Sequence, residues 1–185
     1  MGQPQDQEVT VWARQLRRVV TGLDGEGKSV VVSDGPAPEL MTFHEMWSTA
    51  KMPSDLSFPP DIPEGGLRLE PPANGTVFHL VQLEPEDPSM PKEELERILS
   101  QAYAQLSAAH CRPNTTRDPR MHRTQSIDYI ILLEGELTLL LDNGEVDLKP
   151  FDVVIQRGTN HAWINKGPGP ALIAAVMIDC EAPPE

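Results

Sequence analysis

The sequence predicts an all-β fold with a single helix. Its apolar residues lie mainly in short runs rich in Val, Ile and Leu, and turn residues separate these runs. Nineteen prolines and thirteen glycines in 185 residues favour a loop-rich β protein. Residues 91–109 are the one clear helical pattern, with apolar side chains at helical spacing. The length corresponds to one domain, which is large enough to bury a core.

The N-terminal part of the chain contains three candidate strands. Residues 9–21 are compatible with a helix or a strand, and we favour a strand over 17–21 because its β-branched residues end at Gly22 and a turn follows. Residues 28–33 and 42–49 are the next candidates.

The C-terminal part contains closely spaced strand patterns. These patterns cover residues 77–83, 127–133, 137–141, 153–155 and 162–164. Asn143-Gly144 follows the third of them, and this pair predicts a hairpin in which both residues have positive φ. Strands this close in sequence must pair as antiparallel neighbours, because a parallel crossover needs about a dozen residues.

The predicted helix, about residues 91–109, begins near Pro91 and carries Glu93 and Glu94 in its first turn, where the helix dipole favours anions. We expect it to pack on the outside of the sheet. The loop that follows contains His110, which has no partner at ligand spacing and is not expected to bind a metal. We expect both cysteines to be ordinary reduced thiols.

Side-chain alternation predicts a polar cluster inside the fold. If residues 122–132 are extended, one face carries His122, Thr124, Asp128, Ile130 and Leu132. On the last predicted strand, one face carries His161, Trp163 and Asn165. If both faces point inward, two imidazoles and a carboxylate converge on an apolar interior.

His122, Asp128 and His161 are therefore the candidate metal ligands. Two histidines and one carboxylate with open positions are typical of a mononuclear site for Fe(II), with Zn, Mn or Ni as alternatives. We expect Thr124, Ile130, Leu132 and Trp163 to line the pocket.

The residues around this cluster resemble the motifs of the cupin superfamily. His122-x-Thr124, Asp128 and Gly135 are similar in spacing to the first cupin motif, His-x-His, Glu, Gly. Gln156-x-Gly158-x-x-His161-x-x-x-Asn165 is similar to the second, Pro-x-Gly-x-x-His-x-x-x-Asn. The resemblance covers roughly residues 75–180.

Three positions depart from the cupin pattern. Thr124 stands where cupins have a second His ligand, Asp128 replaces Glu, and Gln156 replaces Pro. A threonine hydroxyl is a poor ligand for a divalent metal, so the ligand set that the resemblance implies is reduced to His122, Asp128 and His161.

The resemblance implies a double-stranded β-helix, or jelly-roll, barrel with an N-terminal arm. We divide the chain into an arm of short strands and a Pro-rich loop (residues 1–72), irregular over 53–72, and a barrel (73–185) on which the arm packs within a single structural domain. Cupins often use such an arm to extend a sheet or to dimerise, so we expect a homodimer.

His79 lies on an apolar face of its predicted strand, together with Val77, Val81 and Leu83. A lone histidine on such a face is usually a core residue. If this face is the barrel interior, His79 becomes a candidate extra ligand or acid/base group. Asp128 and His161 are the other candidate catalytic residues.

The composition excludes some partners. A formal net charge of -13 and a pI near 4.7 argue against nucleic acid and anionic membranes, because both are polyanions. No apolar run approaches the ~20 residues of a membrane helix, so we expect a soluble, cytoplasmic protein.

Three functions remain open. The first is a metal-dependent enzyme on a small oxygenated organic acid or an aromatic or polyketide-like metabolite, of lyase, decarboxylase, dehydratase or oxygenase type. The second is a metal-free isomerase or cyclase that uses His and Asp as acid and base. The third is a non-enzymatic small-molecule-binding protein.

Overall fold

The computed structural model describes residues 16–54 and 67–181, and within these ranges it contains eleven strands and one α-helix. The strands are β1 (Arg17–Leu23), β2 (Ser29–Pro36), β3 (Glu39–Leu40), β4 (Phe43–Thr49), β5 (Thr76–Leu83), β6 (Ser126–Glu134), β7 (Leu137–Leu141), β8 (Glu145–Leu148), β9 (Val153–Arg157), β10 (His161–Ile164) and β11 (Ala171–Asp179). The helix α1 spans Lys92–Gln105.

Two antiparallel sheets form the barrel. The larger has six strands in the order β3-β4-β5-β11-β6-β9, and the smaller has three in the order β10-β7-β8. Buried side chains from both sheets meet in one core, among them Ile130 and Ile173 from the larger sheet and Leu137 and Leu139 from the smaller. Burying each such side chain stabilises the fold by about 1.5–3 kcal/mol. The all-β prediction is confirmed.

Strands β3 and β4 belong to the segment predicted as the arm, and they continue the larger sheet beyond β5. Strands β1 and β2 pair only with each other and form a separate hairpin. Residues 9–15 and 55–66, on which parts of the arm predictions fall, lie outside the described residues.

Three strands were not predicted. Strand β11 lies in the middle of the larger sheet, and its run of apolar residues has no alternation that would distinguish a strand from a helix. Strand β8 is mostly exposed and buries only Leu148, and β3 has only two residues. Short or weakly alternating strands depend on their neighbours for their conformation.

The hairpin between β7 and β8 exists, but its predicted turn type is wrong. Three residues, 142–144, connect the strands, and only Gly144 has positive φ (92°). This matches a three-residue loop that closes with a left-handed glycine rather than a two-residue turn.

The helix ends earlier than predicted, at Gln105 instead of residue 109. Ser107 adopts a left-handed conformation (φ 56°), and the amide of Ala108 donates a hydrogen bond to the carbonyl of Tyr103 (2.7 Å). This bond is the C-terminal closure that stops a helix. A short 3-10 turn, Ala109–Cys111, follows.

Helix α1 is too short to cross a membrane, and no other helix in the described ranges could do so. Both cysteines are free, and Cys111 is buried.

Candidate functional site

The segment before and within β6 alternates between the interior and solvent, as predicted. Thr124, Asp128, Ile130 and Leu132 are all buried, each with at most 4% of its surface exposed. Tyr129, between two of them, is 46% exposed. The inward face therefore carries the polar side chains of Thr124 and Asp128 next to the apolar side chains of Ile130 and Leu132.

His122 and His161 are direct neighbours. Each backbone amide donates to the carbonyl of the other residue, at 2.8 and 2.9 Å, and this bridge brings both side chains to the same face. Their ring centroids are 4.3 Å apart, and the ring of Trp163 packs edge-on to His161 at 5.4 Å. The structure thus joins two of the three predicted ligands.

Backbone carbonyls fix the orientation of both imidazoles. Nδ1 of His122 donates to the carbonyl of Arg120 (3.0 Å), and Nδ1 of His161 donates to the carbonyl of Thr159 (2.9 Å). Because a carbonyl only accepts, each proton lies on Nδ1 and each Nε2 keeps its lone pair. Neither Nε2 atom has a hydrogen-bond partner within the described residues. This is the orientation that metal-binding histidines adopt.

Both histidines are neutral at pH 7. Burial lowers the pKa of His161 to about 3, with a smaller contribution from the neighbouring His122. Burial also lowers the pKa of His122, against the effect of its bond to Arg120. A metal ion therefore has no proton to displace from either Nε2.

Asp128 is a buried carboxyl group with an unsatisfied oxygen. Only 3% of the residue is exposed, and Oδ1 has no hydrogen-bond partner. Burial raises its pKa to about 6, although the hydroxyls of Ser126 and Thr124 act in the opposite direction. An orphaned buried oxygen of this kind indicates a position at which a cation, a proton donor or a ligand binds.

Of the three predicted ligands, only the two histidines are placed to bind one divalent ion together. The two Nε2 atoms supply two suitable ligands, and the Asp128 carboxyl lies on the same inward row. However, the only group of three or more ligand atoms within 4.8 Å of one another in the described ranges is Glu70, His110 and Cys111. In this conformation, then, Asp128 does not complete a three-ligand set with the histidines. The hydroxyl of Thr124 accepts a hydrogen bond from Ser126 (2.8 Å) and offers no substitute for a second histidine.

His79 does face the barrel interior. It is 1% exposed, and neither ring nitrogen has a hydrogen-bond partner. Burial lowers its pKa to about 4. Its Nε2 lies 4.0 Å from Oε2 of Glu45, which is also buried and whose pKa burial raises.

Two residues of this interior were not predicted from the sequence. Glu45 lies in β4, where a bulge before Trp47 breaks the alternation that would have placed it inside. Tyr103 comes from α1, and its ring packs against His122 at 5.5 Å. The helix that was predicted to pack outside the sheet therefore also reaches the site. Tyr103 lies one helical turn after Leu99, so the helical spacing of apolar residues could have placed it on the same face.

The remaining motif residues have structural roles. The side-chain amide of Asn165 donates to the carbonyls of Leu83 and Gly169, at 2.8 and 2.9 Å. Gln156, which replaces the motif proline, is buried, and its amide donates to the carbonyl of Thr159 (3.1 Å), the same carbonyl that orients His161. Gly158 has positive φ (57°).

These features define a small barrel with a paired-histidine site on its inner face. The cupin domain profile (Cupin_2) matches residues 109–178. Phomopsin biosynthesis cluster protein C' of Diaporthe leptostromiformis is 30% identical over 184 residues, which cover 92% of this chain and 81% of that protein. The cupin-domain-containing oxidoreductase srdD of Neurospora crassa is 29% identical and covers 91% of this chain and 77% of its own.

Among solved structures, the polyketide cyclase RemF from Streptomyces resistomycificus is 17% identical, with a TM-score of 0.39 over 77% of this chain and 66% of that one. From the profile and the relatives, the chain belongs to the cupin superfamily, of which it is a small single-domain member.

Proposed function

We propose that this protein is a metal-dependent cupin enzyme that oxidises a small oxygenated metabolite in a biosynthetic pathway. The observation that carries the proposal is the His122–His161 pair, in which hydrogen bonds to backbone carbonyls leave both Nε2 lone pairs available to an ion. The relatives' names favour oxidation over lyase chemistry, because srdD is named an oxidoreductase and protein C' belongs to a biosynthesis cluster.

His122 and His161 would hold the ion. When bound, a divalent ion supplies Lewis-acid stabilisation of oxyanion charge and, as Fe(II), the capacity to activate dioxygen. Ile130 and Leu132 belong to one core cluster against which Trp163 packs, and we expect these side chains to exclude water and so to strengthen the electrostatic interactions at the site.

Asp128 would hold or transfer a proton. Its pKa of about 6 is close to neutral pH, and a general acid or base works best when its pKa is near the working pH. Its unsatisfied Oδ1 is the atom available to a substrate hydroxyl, or to the ion if the side chain rotates.

A metal-free enzyme is the second candidate. Thr124 in place of a histidine, and the absence of Asp128 from a three-ligand group in the described ranges, favour it. In that case Asp128 and a neutral histidine would act as acid and base in an isomerisation or cyclisation.

Metal analysis separates the two candidates. Purified full-length protein is loaded anaerobically with Fe(II), desalted and assayed for bound iron, beside His122→Ala, His161→Ala and the control His44→Ala. His44 lies outside the site, where its Nδ1 faces Glu39 at 3.4 Å. All four proteins carry Cys111→Ser, so that the Cys111 thiolate cannot retain iron, and Cys180 is common to all of them.

We expect about one iron per chain in the protein that carries only Cys111→Ser and in its His44→Ala variant. His122→Ala and His161→Ala should each lower the affinity for iron at least tenfold. We also expect circular dichroism to be unchanged, because these ligands line a core that is already packed. Iron-free protein in every sample would refute dependence on iron, and the same result after loading with Zn²⁺, Mn²⁺ and Ni²⁺ would refute metal dependence and favour the second candidate.

The homodimer remains a prediction. Its support is the outer face of β6 and β9, where Tyr129 pairs with Ile155 and Ile131 pairs with Val153, all of them at least 37% exposed. Exposed apolar faces of this kind mark interaction surfaces.

A further inference from the structure

A second cluster of metal-binding side chains lies outside the paired-histidine site. Nε2 of His110 lies 2.7 Å from Oε2 of Glu70 and 3.6 Å from Sγ of Cys111. All three ligand atoms lie within 4.8 Å of one another. A thiol, an imidazole and a carboxyl group are three of the groups from which zinc sites are built.

The backbone holds two of these side chains in place. The amide of Gln125 donates to Oε1 of Glu70 (2.9 Å), which leaves Oε2 directed at the cluster. The amide of Arg123 donates to the carbonyl of Cys111 (2.7 Å), and the cysteine itself is 1% exposed. Both anchors belong to the segment that leads from His122 into β6. The cluster therefore lies at the rim of the barrel, next to the first site but on other residues.

One of the two distances matches the spacing of ligands around a tetrahedral ion, and the other requires a small movement. With Zn–S near 2.3 Å and Zn–N near 2.0 Å, two ligands at a tetrahedral angle are separated by about 3.5 Å. The observed distance from Sγ to Nε2 is 3.6 Å. The contact between Glu70 and His110 must open by roughly half an ångström to admit the ion. The His110 side chain is 68% exposed and is free to make that movement.

We propose that Glu70, His110 and Cys111 form a second metal site at the rim of the barrel, which binds a borderline-soft divalent ion such as Zn²⁺ and leaves a fourth position open to solvent. Binding releases the thiol proton of Cys111 to solvent and shifts the His110 proton to Nδ1. The thiolate and the carboxylate then neutralise the charge of the ion. The ion connects the 3-10 turn at residues 109–111 to residue 70 and so fixes the loop that leads to His122.

Cobalt is the probe that reports thiolate coordination directly. Metal-stripped full-length protein is titrated with Co²⁺, and a thiolate-to-cobalt charge-transfer absorption in the near ultraviolet is expected with one equivalent at this site. The same titration is run on the His122→Ala/His161→Ala double variant, so that Co²⁺ binding at the paired-histidine site does not contribute to the result. Zn²⁺ should abolish the band by displacement.

Four variants locate the ion. Cys111→Ser should abolish the band, whereas Cys180→Ser, which changes the only other cysteine, should leave it unchanged. Glu70→Gln and His110→Ala should each weaken Co²⁺ binding at least tenfold, and the exposed position of His110 means that its variant should fold normally. No band in the wild type, a band that survives Cys111→Ser, or unchanged affinity in His110→Ala overturns the proposal.

Discussion

Replacing Asp128 with Asn should make the protein more stable at neutral pH. The buried carboxyl group has one oxygen without a partner, and burial raises its pKa to about 6, so the folded protein favours the protonated form. An asparagine of the same shape never carries the charge. The stability gained by the variant should therefore appear only above about pH 3.8, where the carboxyl group of the unfolded wild-type chain becomes ionised.

The raised pKa of Asp128 determines how the unfolding free energy changes with pH. The pKa of Asp128 is raised from its ordinary value of 3.8 to about 6 in the folded protein. Its stabilising contribution is therefore complete below pH 3.8 and is lost as the pH rises through about 6. A shift of about two units corresponds to roughly 3 kcal/mol. The difference in unfolding free energy between Asp128→Asn and wild type should grow by about that amount from pH 4 to pH 8.

Urea denaturation at half-unit pH steps, in buffer with a chelator, measures this difference. Asp34→Asn is the matched control, because Asp34 is an exposed carboxylate whose pKa the bonded Arg17 holds below its usual value. That variant should gain no stability at any pH. A pH-independent difference for Asp128→Asn would show that the carboxyl group is not isolated from solvent, and the assignment of an acid/base role to it would fall.

Two further predictions concern stability. Gly135→Ala should destabilise the protein by about 1–3 kcal/mol more than Gly144→Ala, because both glycines have positive φ but only at Gly135 would a Cβ lie 2.7 Å from the Cα of Ala171. Equal losses in urea denaturation would refute this. His79→Leu should stabilise the protein by about 1–3 kcal/mol at pH 8, because it removes two unpartnered nitrogens. Burial lowers the pKa of His79 from 6.5 to about 4, so the stability of the wild type falls as the pH falls below 6.5. The stability advantage of His79→Leu should therefore be about 2 kcal/mol larger at pH 5 than at pH 8. An advantage that does not change with pH would contradict this prediction.

Alternation and spacing were enough to predict the inner row of the site. A strand has a side-chain period of two, so the burial of Thr124, Asp128 and Ile130 follows once one of them is placed inside. The convergence of His122 and His161 depended on the assumption that both faces point inward, because the two residues lie 39 positions apart in the chain. No local pattern carries that contact.

Other features have no signal in the sequence. Glu45 pairs with His79 just before the bulge in β4, and the bulge then reverses the alternation of the residues that follow, which hides the inward position of Glu45. Glu70 and His110 meet through loops 40 residues apart, and loops have no period from which to predict a contact. The exclusion of His110 as a ligand rested on its lack of a partner in the sequence, and the structure supplies that partner from elsewhere in the chain.

The directions of the pKa shifts show what kind of interior this barrel has. Burial lowers the pKa of His79 and His161 and raises that of Asp128, so each group is driven towards its neutral form. Hydroxyls at Thr124 and Ser126 compensate only part of the burial of the carboxyl group. An anionic substrate would therefore lose its hydration without meeting a positive charge among these side chains. It can enter this interior only with a cation or a proton, so the metal content must be established before a substrate screen can be interpreted.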